Sequence, residues 1–149
     1  MTLRDAVPSD TPEILALIQE LAVYEKLRDK CVATVADIER EVFGPNSVVR
    51  VVMAEDDGAV AGFALYFFNF STFLGRRGIY LEDLFVRPEF RGRGIGKGLL
   101  LRLKEIATEA GYGRVEWSVL DWNTPSIEFY KSLGATAMDE WTTFRLTLG

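Results

Sequence analysis

The 149-residue sequence predicts an α/β fold, on three observations. Apolar residues alternate through 48–54 and again through 60–70, on either side of Glu55-Asp56-Asp57-Gly58, the pattern of two strands joined by a hairpin. Ile14, Leu17, Ile18 and Leu21, and later Ile95, Leu99, Leu100, Leu103, Ile106, Ala107 and Ala110, recur at the helical period instead. Between these patterns, residues 80–87 read as a strand that ends at Pro88 and leads through a glycine-rich turn into the longer helix. With 48% hydrophobic residues and no repeat, low-complexity tract or linker-like run, residues 1–149 are expected to form a single domain with its own core.

The elements follow in order. Residues 3–7 make a short first strand. Asp10 or Thr11 caps the first helix, with Pro12 in its first turn and Ile14, Leu17, Ile18 and Leu21 as its buried stripe. Thr34 followed by Asp37 has the form of a capping pair for a second helix ending at Gly44-Pro45. The hairpin strands and strand 80–86 come next, then the glycine turn and the long helix, which stops at Gly111. Val115, Trp117 and Val119 alternate as a fifth strand, Pro125 opens the last helix, and 141–148 alternates as a final strand.

The most informative stretch is Arg91-Gly92-Arg93-Gly94-Ile95-Gly96, because of its flanks. A strand, a glycine turn and a helix N-terminus present unpaired N–H groups, the positive end of a helix dipole and a backbone an anion can approach closely. Arg91 and Arg93 add positive charge, so the segment is built to hold phosphate. Two nucleotide loops are excluded. For G-x-x-x-x-G-K-[ST], Arg91 stands at the first glycine and Gly98 at the hydroxyl position; for G-x-G-x-x-G, the three registers end on Lys97, Leu99 or Leu101. The pattern that fits is [QR]-x-x-G-x-[GA], which resembles the pyrophosphate loop of the GNAT N-acetyltransferases, enzymes that bind acetyl-coenzyme A.

That resemblance runs from near the N-terminus to about Trp141. Leu81-Glu82-Asp83-Leu84-Phe85-Val86 is similar to the family's fourth strand, and Asn123-Thr124-Pro125-Ser126-Ile127-Glu128-Phe129-Tyr130, continued by Lys131 to Ala135, to its last helix. Leu21-Ala22-Val23-Tyr24-Glu25 and Gly62-Phe63-Ala64-Leu65-Tyr66-Phe67 are most like the spermidine/spermine and thialysine acetyltransferases within the family. The resemblance implies a mixed, mainly antiparallel central sheet of about seven strands with helices on both faces. It implies acetyl-coenzyme A as cosubstrate, held by Arg91, Gly92, Arg93, Gly94, Ile95, Gly96 and Lys97, by backbone groups of Leu84, Phe85 and Val86, and by Asn123, Ser126 and Tyr130. On the amine side it places Tyr24, Glu25 and Glu82; where the chain departs from the polyamine enzymes, Asp139 or Glu140 is expected to restore a carboxylate near the pocket's end, and no metal is expected.

Acetyl transfer to an amine needs the amine to lose a proton. An alkylamine with a pKa near ~10.4 is only roughly 0.04% neutral at pH 7, and a positioned base contributes ~10²–10⁴-fold. By the resemblance Glu82 is the candidate base, acting through water; read alone, it could equally cap or salt-bridge a strand end. Asp83 points to the opposite sheet face unless a bulge intervenes, as one does in the family's strand, and is a structural or secondary candidate. Tyr130 is the candidate general acid, since a phenol near ~10 is protonated at neutral pH and can donate to a thiolate near ~8.5. Its alternative is core packing, although Phe129 and Leu133 already form the core-facing pair of that helix. Helix capping competes with cofactor contact for Asn123 and Ser126. Cys31, with no histidine to activate it, is a bystander.

Composition narrows the chemistry. The absence of histidine excludes Ser-His-Asp and Cys-His machinery and histidine-ligated metal sites. The net charge is −5, yet residues 87–104 carry six basic residues against Glu89 alone, +5, leaving −10 elsewhere. That asymmetry suits an anionic cofactor and a cationic second substrate, and opposes nucleic acid as a partner. A single cysteine, no visible secretory signal and no apolar run long enough to span a bilayer point to the cytoplasm and away from membranes. Family resemblance and the aromatic third strand (Phe63, Tyr66, Phe67, Phe68, Phe70) point to a homodimer. The leading reading is an N-acetyltransferase for the primary amine of a small molecule, by direct attack in a ternary complex. Because Ser71-Thr72-Phe73 stands where polyamine enzymes carry an acid and a tryptophan, a diamine or lysine-like amino acid fits as well as a polyamine. A protein or peptide acetyltransferase and a non-catalytic acyl-coenzyme A sensor are the alternatives.

Overall fold

Alternation and helical period become five strands and four helices in the computed structural model, which describes residues 1–149. They are β1 (Thr2–Asp5), α1 (Thr11–Tyr24), α2 (Val35–Ile38), β2 (Arg50–Asp56), β3 (Ala59–Ser71), β4 (Arg76–Val86), α3 (Ile95–Ala110), β5 (Val115–Trp117) and α4 (Thr124–Ser132). The chain divides into two units, Met1–Ser118 with the sheet and α1–α3, and Val119–Gly149 with α4.

In the first unit the strands lie in the order β1-β2-β3-β4-β5, every neighbouring pair antiparallel except the parallel β4–β5. The β2–β3 turn carries Asp57 and Gly58 at φ 52° and 75°, the left-handed pair that a two-residue hairpin favours. One sheet face presents Val51, Met53, Phe63, Leu65 and Phe85 to Ile14, Leu17 and Leu21 of α1 and to Ile38 and Val42. Alternation turns Val52, Ala64, Tyr66 and Leu81 to the other face, where α3 packs with Leu99, Leu100 and Leu103. Each face therefore has its own helical cover. The aromatic surplus expected of β3 is largely absorbed this way: Phe63 and Tyr66 are buried on opposite faces, and Phe68 packs edge-on against Tyr112, at 5.6 Å. What stays open is the β3–β4 tip, with Phe70, Phe73 and Leu74 exposed.

Two expectations need correction. The sheet has five strands, not about seven, and 141–148 joins no ladder. Its alternation is genuine, but Trp141, Phe144, Leu146 and Leu148 are exposed, and a strand exists only where a neighbour takes its backbone hydrogen bonds. The second helix has its capping box, with Asp37 N–H donating to Thr34 Oγ1 (3.2 Å) and Thr34 N–H donating to Asp37 Oδ2 (2.9 Å), and it stops at Gly44. After one α-turn, however, it widens into a π-turn over Glu39–Phe43.

In the second unit Asn123 Oδ1 accepts from Ser126 N–H (3.4 Å) to cap α4, and Pro125 sits in its first turn. Gly134, at φ 87°, closes the helix: its N–H donates to the Lys131 carbonyl, and that of Ala135 to Tyr130.

Candidate active site

The register of β3 against β4 decides which side chains of β4 work together. Leu65 pairs with Asp83 and Tyr66 with Leu81, so Glu82 has no residue opposite it. This one-residue bulge resets the alternation. Asp83 shares its face with Leu65 and Phe85, the side of α1 and α2. Glu82 keeps the parity of Tyr80 and Gly78, whose partners Phe67 and Asn69 lie on the same face as Leu65. Adjacent in sequence, Glu82 and Asp83 therefore project to one side of the sheet.

A third carboxylate joins them where α1 ends at Glu25. Burial pushes the half-buried Asp83 carboxyl up to about 7, and the charges of Glu82 and Glu25 add to that. Burial raises Glu25 as well, followed by the charge of Glu82. No basic side chain is among the groups acting on either. Glu82 also forms part of the wall of a groove of ≈ 970 Å³, with Val48, Val49, Phe67, Asn69, Phe70 and Arg77. Sequence reading missed these last residues. Phe67 and Asn69 come onto the Glu82 face only through the pairing register, while Val48 and Val49 precede β2 with no motif to mark them.

The glycine loop lies at the other end of β4. Gly92 and Gly94 have φ of 78° and 79°, the left-handed region that glycine enters without penalty, and Gly94 is the N-cap of α3. The first bond of the helix runs from Gly98 N–H to the Gly94 carbonyl (2.9 Å), so the N–H groups of Ile95, Gly96 and Lys97 precede the intrahelical ladder. Beside them, Arg87 N–H donates to the Ala61 carbonyl (2.8 Å), which puts Phe85 and Arg87 in the hydrogen-bonded register with β3. Leu84 and Val86 must then turn their backbone groups the other way, toward the side where β5 stops pairing at Leu81.

The charge assigned to this stretch from sequence is largely spent within the chain. Arg87 is held by Glu13 and Glu20 of α1, Arg93 by Asp56 (2.9 Å) and Asp57 (3.2 Å) of the β2–β3 hairpin, and Arg102 by Glu105. Arg91 donates from Nε to the Val86 carbonyl (2.9 Å), and its guanidinium lies 5.2 Å from the Tyr24 ring centre and 5.5 Å from that of Phe85. The loop thus offers an anion chiefly its backbone N–H groups and the helix dipole, with Lys97 exposed on the first turn. Arg91 links three parts: the end of β4, the loop and the end of α1.

Within Met1–Ser118, the predicted residues Tyr24, Glu25, Glu82, Leu84, Phe85, Val86 and 91–97 gather around β4. Asn123, Ser126, Tyr130 and Glu140 belong to Val119–Gly149. There Asn123 is buried as the helix cap, Tyr130 is half-buried with its ring 5.7 Å from that of Phe129, and Asp139 and Glu140 are exposed.

The chain is similar to known proteins. The sequence model of the acetyltransferase (GNAT) family matches residues 13–135. A thialysine N-epsilon-acetyltransferase of Bos taurus is 38% identical over 96% of this chain and 90% of its own length. An L-ornithine N5-acetyltransferase of Arabidopsis thaliana is 33% identical over 97% of this chain and 83% of its own. Among solved structures, an integron cassette protein from the V. cholerae mobile metagenome superimposes with a TM-score of 0.83 at 29% identity, covering 98% of this chain and 91% of that one.

Proposed function

The chain belongs to the GNAT acetyltransferase family, and on that footing we propose that it transfers acetyl from acetyl-coenzyme A to the primary amine of a small molecule, by direct attack in a ternary complex. The observation that carries this reading is the pairing, around one strand, of a glycine loop whose N–H groups precede the α3 ladder with three carboxylates, Glu25, Glu82 and Asp83. An anionic cosubstrate and a cationic acceptor are what such a pairing suits.

The residues fit acetyl-coenzyme A. At Gly92 and Gly94 nothing lies within 4 Å of where a Cβ would sit, and at Gly96 only Val86 Cγ2 does, at 3.7 Å, so the loop backbone is open to a phosphate. We assign the pyrophosphate to the loop N–H groups, the pantetheine arm to the backbone of Leu84 and Val86, and further contacts to Asn123 and Ser126. When bound, this cosubstrate supplies an acetyl group activated as a thioester. Tyr130 Oη holds the proton for the leaving sulfur, and the carboxylates around Glu82 take up the ammonium of the acceptor.

Relatives named for thialysine and ornithine support a diamino acid or a diamine as acceptor. The β3–β4 tip supports a short acceptor over a long polycation, since Phe73 is 99% exposed and Ser71-Thr72 brings no carboxylate to the groove. The family match spans both units, which supports one catalytic domain over 1–149. We further propose a homodimer, supported by the exposed apolar tip; no helix is long and apolar enough to cross a membrane. Initial-velocity patterns test the mechanism. With acetyl-coenzyme A and the best amine varied together, intersecting lines are expected; parallel lines would show an acetyl-enzyme and overturn direct attack.

A further inference from the structure

We propose that Asp83, not Glu82, takes the proton from the acceptor's ammonium, while Glu82 and Glu25 hold that ammonium in place. The proposal rests on the acetyltransferase reading above and assigns its proton acceptor.

The bulge at Glu82 makes it geometrically available. Without it, Asp83 and Glu82 would face opposite sides of the sheet; with it, both reach the α1 side, where Glu25 ends the helix. The two differ in surroundings. Glu82 is the unpaired residue of the bulge and is exposed to water. Asp83 is half-buried, opposite Leu65 and two residues from the buried Phe85. The charged groups that act on it are Glu82 from its own strand and Glu25 from α1. Arg77 shares the groove wall with Glu82, and Arg91, which lies over the Tyr24 and Phe85 rings, spends its Nε on the Val86 carbonyl. When carboxylates share a site, the one that water reaches least holds a proton most readily. That Asp83 is pushed up to about 7 agrees with this, and a proton acceptor works best when its pKa lies near the operating pH.

The step balances. The ammonium enters against ionised Asp83, displacing to solvent whatever proton that carboxyl carried. One N–H proton then passes to Asp83 Oδ, leaving the nitrogen lone pair free. Nitrogen forms its bond to the acetyl carbon as the C–S bond breaks, and the second N–H proton goes to the departing sulfur. Asp83 returns its proton to water. The sum is ammonium plus thioester giving amide, thiol and one released proton.

The test measures amine binding in the absence of acetyl-coenzyme A. Thialysine, ornithine and 1,4-diaminobutane are titrated calorimetrically between about pH 5.5 and 9, in buffers of different ionisation enthalpy, so that proton release is counted directly. For the wild type, affinity should rise up to ~10-fold per pH unit below about 7 and then level, with close to one proton released per amine on the rising limb. Asp83→Asn should lose both the limb and the release, and Asp83→Glu should restore them. Glu82→Gln should bind the amine more weakly yet keep a limb, shifted to lower pH because a neighbouring negative charge is gone. At about pH 8, Asp83→Asn should melt no lower than the wild type, since it removes an unfavourably buried charge. A limb that persists in Asp83→Asn, or that vanishes in Glu82→Gln instead, overturns the proposal while leaving the acetyltransferase reading standing. Failure of the wild type to bind any of the three amines overturns both.

Discussion

Tyr24→Ala should weaken the binding of coenzyme A, although Tyr24 was assigned to the amine. The route is Arg91, whose guanidinium rests 5.2 Å from the Tyr24 ring centre and 5.5 Å from that of Phe85 while its Nε holds the Val86 carbonyl at 2.9 Å. Tyr24 is 37% exposed, so one cation–π contact is worth about 0.5–1 kcal/mol, or roughly 2–5-fold in Kd. Arg91→Ala loses both ring contacts and a charge-assisted hydrogen bond, together about 2–3 kcal/mol, or roughly 30–150-fold. Tyr24→Phe keeps the ring and should stay within ~2-fold of the wild type. The assay is calorimetric titration with coenzyme A and no amine present. In the Arg91→Ala background, Tyr24→Ala should cost nothing further, because the contact is already gone. Unchanged affinity in Tyr24→Ala alone, or effects of the two substitutions that simply add, would refute the coupling.

Gly94→Val places a β-branched side chain at φ 79°, at a cost of about 1–2 kcal/mol or more, and shields the N–H groups of the loop. A folded variant with undiminished coenzyme A affinity would sink the cofactor assignment. Tyr130→Phe should lower kcat about 10–10³-fold with little change in cofactor Kd, as read by steady-state kinetics beside calorimetry; full turnover would make Tyr130 a packing residue only. Two hydrogen bonds from Arg4 hold the buried Asp10 carboxyl below the usual range, helped by Val7 N–H and opposed by burial. A depressed folded pKa means stability that is fully present above the unfolded value near ~3.9 and lost as pH falls through the folded one. Asp10→Asn should therefore melt below the wild type at pH 7, with the gap closing below about pH 4 in thermal scans.

Much of the fold could be read locally because its signals are local. Gly94 and Gly111 bound α3 at left-handed φ, Thr34 and Asp37 cap α2, and Asp57-Gly58 turns the hairpin, each within a few residues of its effect. The loop at 91–96 was legible for the same reason. Glu82 and Asp83 were not placed on one face by alternation alone, because the bulge is a property of β4 paired with β3, two strands whose match has to be seen. Nor could the partners of the loop arginines be read, since Arg93 finds Asp56 and Arg87 finds Glu20 only through the fold. The alternation at 141–148 misled for the opposite reason: a pattern does not provide the neighbouring strand that it needs.

The central claim is that an anion-holding loop and a carboxylate cluster around β4 serve acetyl transfer to a small primary amine. The most direct measurement is mass spectrometry of thialysine, ornithine, 1,4-diaminobutane, spermidine and a lysine-containing peptide after incubation with the protein and acetyl-coenzyme A. The account predicts one added acetyl group on a primary amine of a diamino acid or the diamine, in step with free coenzyme A thiol, and faster than on the peptide. Thiol release with no acetylated amine, or acetylation of the peptide alone, would contradict it.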